Sequence, residues 1–158
     1  MTPAPSSTTP SPQPGSFPQG TTELATQALL AAASSIPAGI PIYMVNLLRY
    51  RYQADYGDSA TAAPCSGREA YFQRYIPAFA KVTEGDGIKP FWVGRALAQL
   101  VAPPGEQWDD VAIVEYPSFA VFQRMIESPA YLAEAEPHRR AALADWRLIP
   151  TAKADMPG

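Results

Sequence analysis

The sequence predicts an α+β domain built on a four-stranded antiparallel sheet. Its apolar runs and helical patterns follow the order strand, helix, strand, strand, helix, strand, which is the split βαβ arrangement of the ferredoxin-like fold. The 158 residues suit one domain, and a hydrophobic content of 47% suffices for a core. Helices cover one sheet face in this fold, so we also expect a homodimer that buries the other face.

The chain divides into four parts by composition. The first part holds six prolines and few large apolar residues, which predicts an extended tail. A helical pattern follows it, with Thr21 or Thr22 as the expected cap, and should pack on the main domain. The predicted parts are a Pro/Ser/Thr-rich tail (1–20), an N-terminal helical extension (21–39), the main domain (40–151) and a C-terminal tail (152–158).

One strand and one helix form the first half of the main domain. The run Ile40 to Tyr50 predicts a strand, and its uninterrupted apolar portion favours burial on both faces. Ser66 and Glu69 have the spacing of a capping box, so a helix should begin there after a long loop. Pro77 should kink or interrupt that helix. The helix is predicted to present one apolar stripe, formed by Phe72, Ile76, Phe79 and Val82.

The second half adds a hairpin, two helical segments and a last strand. Residues 88–102 and 109–117 should pair as the hairpin, with a bulge at Gly94. Pro117-Ser118 and Ser128-Pro129 are typical helix starts. The elements after them are a helix from Ser118, a helical segment interrupted near Pro137, and a short strand over 145–150.

Charge and cysteine usage exclude several function classes. The net charge is −3 and charged residues make up 17% of the chain, so no basic field would attract nucleic acid or a membrane surface. With one cysteine and one histidine, the chain forms neither an internal disulfide nor a Cys/His zinc site. We therefore expect a cytoplasmic protein without metal or tightly bound cofactor. The N-terminus does not look like a secretory signal, and no apolar run reaches the roughly 20 residues of a membrane span.

Several segments, in the same order, resemble one family. They are VNLLRYR, SGREAYFQRY, WDDVAIVEYPS, SPAYL and HRRAALADWRLIP, which together extend over about residues 40–151. This part of the chain resembles the family catalogued as domain of unknown function 1330, in the dimeric α/β-barrel superfamily. The resemblance implies a ferredoxin-like protomer, a dimer whose sheets close a barrel, and a pocket between sheet and helices in each protomer. It implies no particular reaction.

The first strand carries an amide in an apolar run. Alternation places Met44, Asn46 and Leu48 on one face, with Arg49 on the other, but leaves open which face lines the pocket. In the pocket, the Asn46 amide would hold a carbonyl, epoxide or hydroxyl oxygen of a substrate. In the alternative interpretation, Asn46 satisfies a backbone group of a loop, because an unpaired buried amide costs about 1–3 kcal/mol.

Charged residues near the strand ends have two interpretations each. Arg49 and Arg51 either bind an anionic substrate or pair with carboxylates such as Glu115 or with the partner protomer. Glu115 is a candidate general base, although its position at the end of a buried strand favours an ion pair.

Aromatic and titratable residues complete the predicted site. Tyr71 and Tyr75 lie one helical turn apart, so both phenols can point at the sheet as donors or weak acids. His138 is a candidate proton carrier or haem ligand, although Arg139 and Arg140 beside it favour a solvated surface. Cys65 lies near a helix start but has no visible partner base. Predicted walls of the pocket are Met44, Leu48, Phe72, Trp92 and Phe122.

The leading hypothesis is an isomerase, ring-opening or lyase-type enzyme that moves protons on a small apolar oxygenated substrate without a cofactor. Asn46 with Tyr71 or Tyr75 would stabilise the oxygen, and His138 or Glu115 would carry the proton. The alternatives are a small-ligand-binding dimer without catalysis and a cofactor-free or haem-dependent monooxygenase.

Overall fold

The computed structural model describes residues 20–58 and 62–158, so most of the predicted tail over 1–20 lies outside the described residues. The described part forms one four-stranded sheet in which the strands, numbered along the chain, lie side by side in the order second, third, first, fourth, and every neighbouring pair is antiparallel. This is the predicted ferredoxin-like α+β topology. Within the described ranges, the helices are all too short or too polar to cross a bilayer.

The elements follow the predicted order, but the second strand ends at Arg95 rather than at residue 102, and the last strand is longer than the predicted 145–150. The strands are β1 (Ile42–Tyr50), β2 (Lys89–Arg95), β3 (Asp110–Tyr116) and β4 (Leu143–Thr151). The α-helices are α1 (Thr26–Ser35), α2 (Gly67–Glu69), α3 (Ile76–Val82), α4 (Phe119–Glu127) and α5 (Glu136–Ala142). Two π-helical turns, Ala70–Tyr75 and Tyr131–Ala135, join α2 to α3 and lead into α5.

The strand register decides which side chains meet the helices. Asn46 lies opposite Ala112 on β3 and Leu148 on β4, and all three face the helices, where the core is packed. Among the described residues, no helix covers the opposite face, which we call the bare face and which is largely apolar. It is formed by Tyr43, Val45, Leu47, Trp92, Val111, Ile113 and Ile149. The predicted burial of β1 on both faces is therefore reached in full on the helix side, whereas on the bare face Tyr43 is buried and Val45 and Leu47 are partly exposed.

Helix α1 packs on the domain as predicted but begins later than predicted. Leu24, Leu29 and Ala32 contact the core. The expected cap at Thr21 or Thr22 is wrong, because α1 starts at Thr26 without a side-chain cap. Thr21 instead pairs with the start of β4: its N–H donates to Asp145 Oδ1 over 3.0 Å, and its carbonyl accepts from the Trp146 N–H over 3.0 Å.

The two π turns occupy equivalent places in the two halves of the fold. Each turn begins at a tyrosine or one residue before it, and a proline follows six residues after that tyrosine. The pairs are Tyr71 with Pro77 and Tyr131 with Pro137. The i→i+5 pattern turns the helix relative to a regular α-helix. The predicted apolar stripe is consequently wrong in part: Ile76 is 40% exposed, whereas the neighbouring tyrosines are buried.

Serine caps begin the helical segments at the predicted positions. Ser66 Oγ accepts from the Glu69 N–H, and Glu69 Oε2 accepts from the Ser66 N–H, which completes the capping box. Ser118 caps α4, and Ser128 Oγ accepts from the Tyr131 N–H.

Strand β2 pairs with β3 as the predicted hairpin, but its irregularity lies elsewhere. The register shifts between Pro90 and Trp92, not at Gly94. Pro90 has no N–H to donate to the ladder, which explains a shift beside it. The Trp92 indole lies across Gly94, where a side chain would collide with the ring.

Candidate functional site

An apolar groove runs between the helical segment of residues 71–85 and the helix-facing side of β2 and β3. Its volume is about 740 Å³, and apolar side chains dominate its walls. Glu84 and Lys89 are the charged residues that line it. The main lining residues are Leu48, Tyr71, Phe72, Ile76, Phe79, Val93, Ala112 and Val114.

A small cavity of about 50 Å³ adjoins this groove on the inner side. The groove and this inner cavity share four wall residues: Tyr71, Ile76, Phe79 and Val114. The inner cavity is also lined by polar side chains from both the sheet and the helical layer. They are Asn46, Tyr75, Tyr116, Tyr131 and Trp146. The arrangement places phenols and an amide next to an apolar space.

Buried phenols are the distinctive groups of the inner cavity. Burial raises the pKa of Tyr71, Tyr75 and Tyr116 above the ordinary value, with the other tyrosines contributing. These phenols therefore stay protonated at neutral pH and act as hydrogen-bond donors. Within the described part of the chain, the hydroxyls of Tyr71 and Tyr116 form no hydrogen bond, although each residue is less than 10% exposed.

Asn46 lines the inner cavity, but its amide is held by the protein. Its Nδ2 donates to the carbonyl oxygens of Met44 and Ala112 over 3.2 and 3.4 Å. Its Oδ1 accepts from Trp146 Nε1 over 3.0 Å. The partners are strand backbone and an indole rather than the loop backbone of the alternative interpretation. Asn46 therefore fixes the wall of the cavity across β1, β3 and β4.

A buried guanidinium next to the cavity was not among the predicted site residues. Arg139 is 2% exposed, so the predicted solvated surface is wrong at this position. Arg139 Nε donates to the Tyr131 hydroxyl over 3.2 Å, and the Tyr131 hydroxyl lies 3.4 Å from that of Tyr75. The guanidinium also stacks on Trp146, 4.5 Å from the ring centroid, and Nη1 donates to the Thr22 carbonyl. The sequence pattern contained no signal for this inward orientation.

The structure brings several predicted residues together at the groove and inner cavity. Tyr71, Leu48 and Phe72 line the groove, while Asn46, Tyr75 and Phe122 line the inner cavity. Met44 lies on the same sheet face but lines a cleft of about 220 Å³ under α1.

Three predicted residues lie on the other side of the sheet. Glu115 pairs with Tyr43, Trp92 pairs with Ile113, and Arg49 follows the alternation of the bare face. The favoured ion pair of Glu115 is not formed among the described residues; its carboxylate accepts from the Tyr43 hydroxyl over 3.2 Å. Placing these residues with Asn46 in one pocket was wrong, because the sheet separates them.

His138 lies apart from the groove and inner cavity. Its Nδ1 is 2.7 Å from the Tyr56 hydroxyl, and the Arg74 guanidinium lies over the Tyr56 ring. Desolvation, followed by the charge of Arg74, lowers the pKa of His138 below its ordinary value. The imidazole is thus neutral near pH 7, and its hydrogen bond with the Tyr56 hydroxyl joins α5 to the loop before α2.

Comparison with known proteins identifies relatives among solved structures. Two crystal structures of RPA0582 from Rhodopseudomonas palustris, one of them of the methylated protein, share 36% sequence identity with this chain. The similarity covers 87% of this chain and 97% to 99% of RPA0582, with TM-scores of 0.76 and 0.75. A dimeric protein of ferredoxin-like fold from Bacteroides fragilis shares 14% identity over 72% of this chain, with a TM-score of 0.40 that supports no inference.

No protein-family model matches the chain, so the resemblance to domain of unknown function 1330 stays a prediction. No curated protein matches it either. The identity to RPA0582 extends over nearly the whole of that protein and most of this chain. The chain therefore belongs to the same family as RPA0582, a Rhodopseudomonas palustris protein of unknown function.

Proposed function

We propose that the chain binds a small, largely apolar molecule in the apolar groove and holds an oxygen atom of that molecule at Tyr71. The hydroxyl of Tyr71, which lacks a partner among the described residues, is the observation that carries the proposal. Tyr71 lines both the groove and the inner cavity. A ligand that fills the groove can therefore present an oxygen to this phenol.

Energetics support this occupant. Among the described residues, Arg74 Nη1 is the buried side-chain polar atom without a partner, so the Tyr71 hydroxyl is not sealed from water; a ligand oxygen would replace that water with a hydrogen bond in apolar surroundings. The groove volume of about 740 Å³ lies within the range of small-molecule sites. Its apolar walls supply the remaining affinity through burial of the ligand's apolar surface.

The proposed chemistry is proton transfer without a cofactor, of the isomerase, ring-opening or lyase type. A protonated phenol that donates to a carbonyl oxygen stabilises the negative charge that develops there when a neighbouring carbon loses a proton. Glu84 lines the groove too, but it follows the end of the helical segment that begins before Tyr71, roughly 20 Å of helical rise away, so it is out of reach of a carbon beside a carbonyl held at Tyr71 and no base is assigned. His138 and Glu115 lie outside the groove and have no part in this proposal.

A ligand-binding protein without catalysis is the second candidate. The exposure of Glu84 favours it, because a solvated carboxylate is a weak base for carbon acids. Deuterium exchange at the carbon next to the carbonyl of a bound ketone distinguishes the two candidates, because only the enzyme should catalyse it. Oxygen consumption or a Soret band in the purified protein would instead favour the monooxygenase alternatives.

We also propose that two copies pair through the bare face. Its apolar residues extend over all four strands and include Trp92, which is 52% exposed, and Ile149, which is 48% exposed. A contiguous apolar sheet face of this kind is usually covered by a second molecule. A symmetric dimer is the simplest way to cover it, and it leaves the groove on the opposite face accessible.

The binding proposal is tested with acetophenone and ethylbenzene, which differ by one carbonyl oxygen. Calorimetry should show that acetophenone binds about tenfold more tightly, and that Tyr71→Phe removes this difference. Tyr52→Phe is the matched control, because Tyr52 is 99% exposed and lines no part of the groove. Equal affinities of the two compounds for the unmodified protein would refute the role of Tyr71.

A further inference from the structure

A second hollow, which we call the arginine hollow, lies at the end of the sheet where β1 ends and β3 begins. Its volume is about 570 Å³. Three guanidiniums line it, from Arg51 after β1, Arg68 in α2 and Arg95 at the end of β2. Three arginines at one hollow are notable in a chain with a net charge of −3 and 12 basic residues.

Arg68 is held in place within this hollow. Its Nη1 donates to Asp110 Oδ2 over 2.6 Å, and Asp110 is 2% exposed and also accepts from the Tyr50 hydroxyl. The guanidinium stacks on Phe72, 4.8 Å from the ring centroid. Because 43% of the side chain is exposed, its remaining donors face the hollow. A preorganised guanidinium loses little entropy when it binds an anion.

The charge of the hollow is not balanced locally. Among the described residues, Arg51 and Arg95 form no ion pair. Asp109 is the carboxylate that lines the hollow, and its Oδ2 accepts from the Tyr50 N–H over 2.8 Å. The three arginines carry three positive charges, and Asp109 together with Asp110, which pairs with Arg68, carries two negative charges. The hollow therefore keeps an excess of positive charge.

The arginine hollow adjoins the apolar groove. Phe72 lines the groove, and the guanidinium that covers its ring belongs to Arg68, which lines the hollow. Tyr50 also lines the hollow, and its ring lies 5.5 Å, between centroids, from that of Tyr71 in the groove wall. Among the described residues, the groove and the hollow share no lining residue, so one molecule that occupies both must pass over the Phe72 and Tyr50 rings that separate them.

We infer that the arginine hollow binds a carboxylate group of the same molecule whose apolar body occupies the groove. The inference rests on the proposed function and specifies the ligand class: an oxo acid, with an apolar body in the groove, its carbonyl oxygen at Tyr71 and its carboxylate at Arg51, Arg68 and Arg95. Planar guanidiniums bind carboxylates through paired N–H donors, which suits this end of the ligand.

Calorimetry with 5-oxodecanoate and its methyl ester tests this inference, because the two compounds differ only in the charged group. The acid should bind at least about tenfold more tightly than the ester, and salt should weaken the binding of the acid alone. Arg95→Gln and Arg51→Gln should each reduce the affinity for the acid severalfold and leave the ester unchanged. Arg124→Gln is the control, because Arg124 is exposed on α4 and lines neither space.

The outcomes separate this inference from the proposed function. One outcome would overturn the inference and leave the proposed function standing. In it, the ester binds, the groove-filling variant Ala80→Trp abolishes that binding, and the acid binds no more tightly than the ester. If the ester does not bind at all, the proposed function fails. If the acid binds through the arginines but Ala80→Trp leaves its affinity unchanged, the hollow and the groove do not share one ligand, and the inference is overturned.

Discussion

The Nε atom of Arg139 donates to the hydroxyl oxygen of Tyr131 over 3.2 Å, in the buried wall behind the inner cavity. This contact joins α5 to the π turn before it and orients a phenol toward Tyr75. The guanidinium also bonds the Thr22 carbonyl, so one side chain holds the N-terminal extension, the second helical segment and the cavity wall together.

Removal of this guanidinium should destabilise the protein. Arg139→Met leaves the Tyr131 hydroxyl and the Thr22 carbonyl without their donor, and we expect the free energy of unfolding to fall by about 3 kcal/mol. Urea denaturation measures the change. In the control, Arg140→Met, the loss should stay below about 1 kcal/mol, because Arg140 forms its ion pairs at the surface. Equal effects of the two substitutions would contradict the structural role of Arg139.

Tyr71→Phe should leave the ligand-free protein as stable as before or more stable. The hydroxyl that is removed forms no hydrogen bond within the described residues, so the free energy of unfolding should rise by up to about 1 kcal/mol. Tyr131→Phe removes a buried hydroxyl that accepts from Arg139, and it should lower the free energy of unfolding by about 2 kcal/mol. Thermal and urea unfolding of both variants compare them. A marked destabilisation by Tyr71→Phe would show that its hydroxyl has a protein partner.

The proposed dimer predicts an asymmetry between the two sides of the molecule. Ile149→Glu places a charge on the bare face and should convert the dimer to a monomer, as measured by light scattering after size-exclusion chromatography. Leu132→Glu is a closely matched control, because Leu132 is 47% exposed and Ile149 48%, but Leu132 lies on the helical side. A monomeric unmodified protein would refute the dimer.

His138 gives the stability of the protein a dependence on pH. Desolvation and Arg74 lower its pKa in the folded state, so the unfolded chain binds the proton more readily. The free energy of unfolding should be fully retained above about pH 6.5, the ordinary histidine value, and should fall as the pH decreases from there to the lowered folded-state pKa. His138→Asn should remove this part of the pH dependence in urea titrations at a series of pH values. An unchanged profile would assign the slope to other groups.

Local patterns predicted the order of the elements and the serine caps, although not the cap of α1. The capping box at Ser66 and Glu69 forms as expected, because its residues contact each other within one helical turn. The alternation along β1 also correctly grouped Met44, Asn46 and Leu48 on one face. Each of these features depends on neighbours in sequence, so a single sequence suffices to find them.

The site was only partly predictable, because its geometry depends on contacts between distant segments. The alternation of side chains shows which residues of one strand share a face, but it does not show which residues of the neighbouring strand lie on that same face. The register of β1 and β3 places Glu115 opposite Tyr43, on the far side of the sheet from Asn46. Arg139 was missed for a related reason: its burial depends on Tyr131 and Trp146, which no local pattern of charges reveals.

The spacing of six residues from Tyr71 to Pro77, repeated from Tyr131 to Pro137, can be read directly in the sequence of any relative. Successive residues of an α-helix are rotated by about 100° around its axis, so the loss of one residue from either spacing would swing the tyrosine away from the inner cavity. Homologues that keep both spacings should hold their phenols where this protein does. Those that shorten one of them should select differently shaped molecules, even if every aromatic residue is retained.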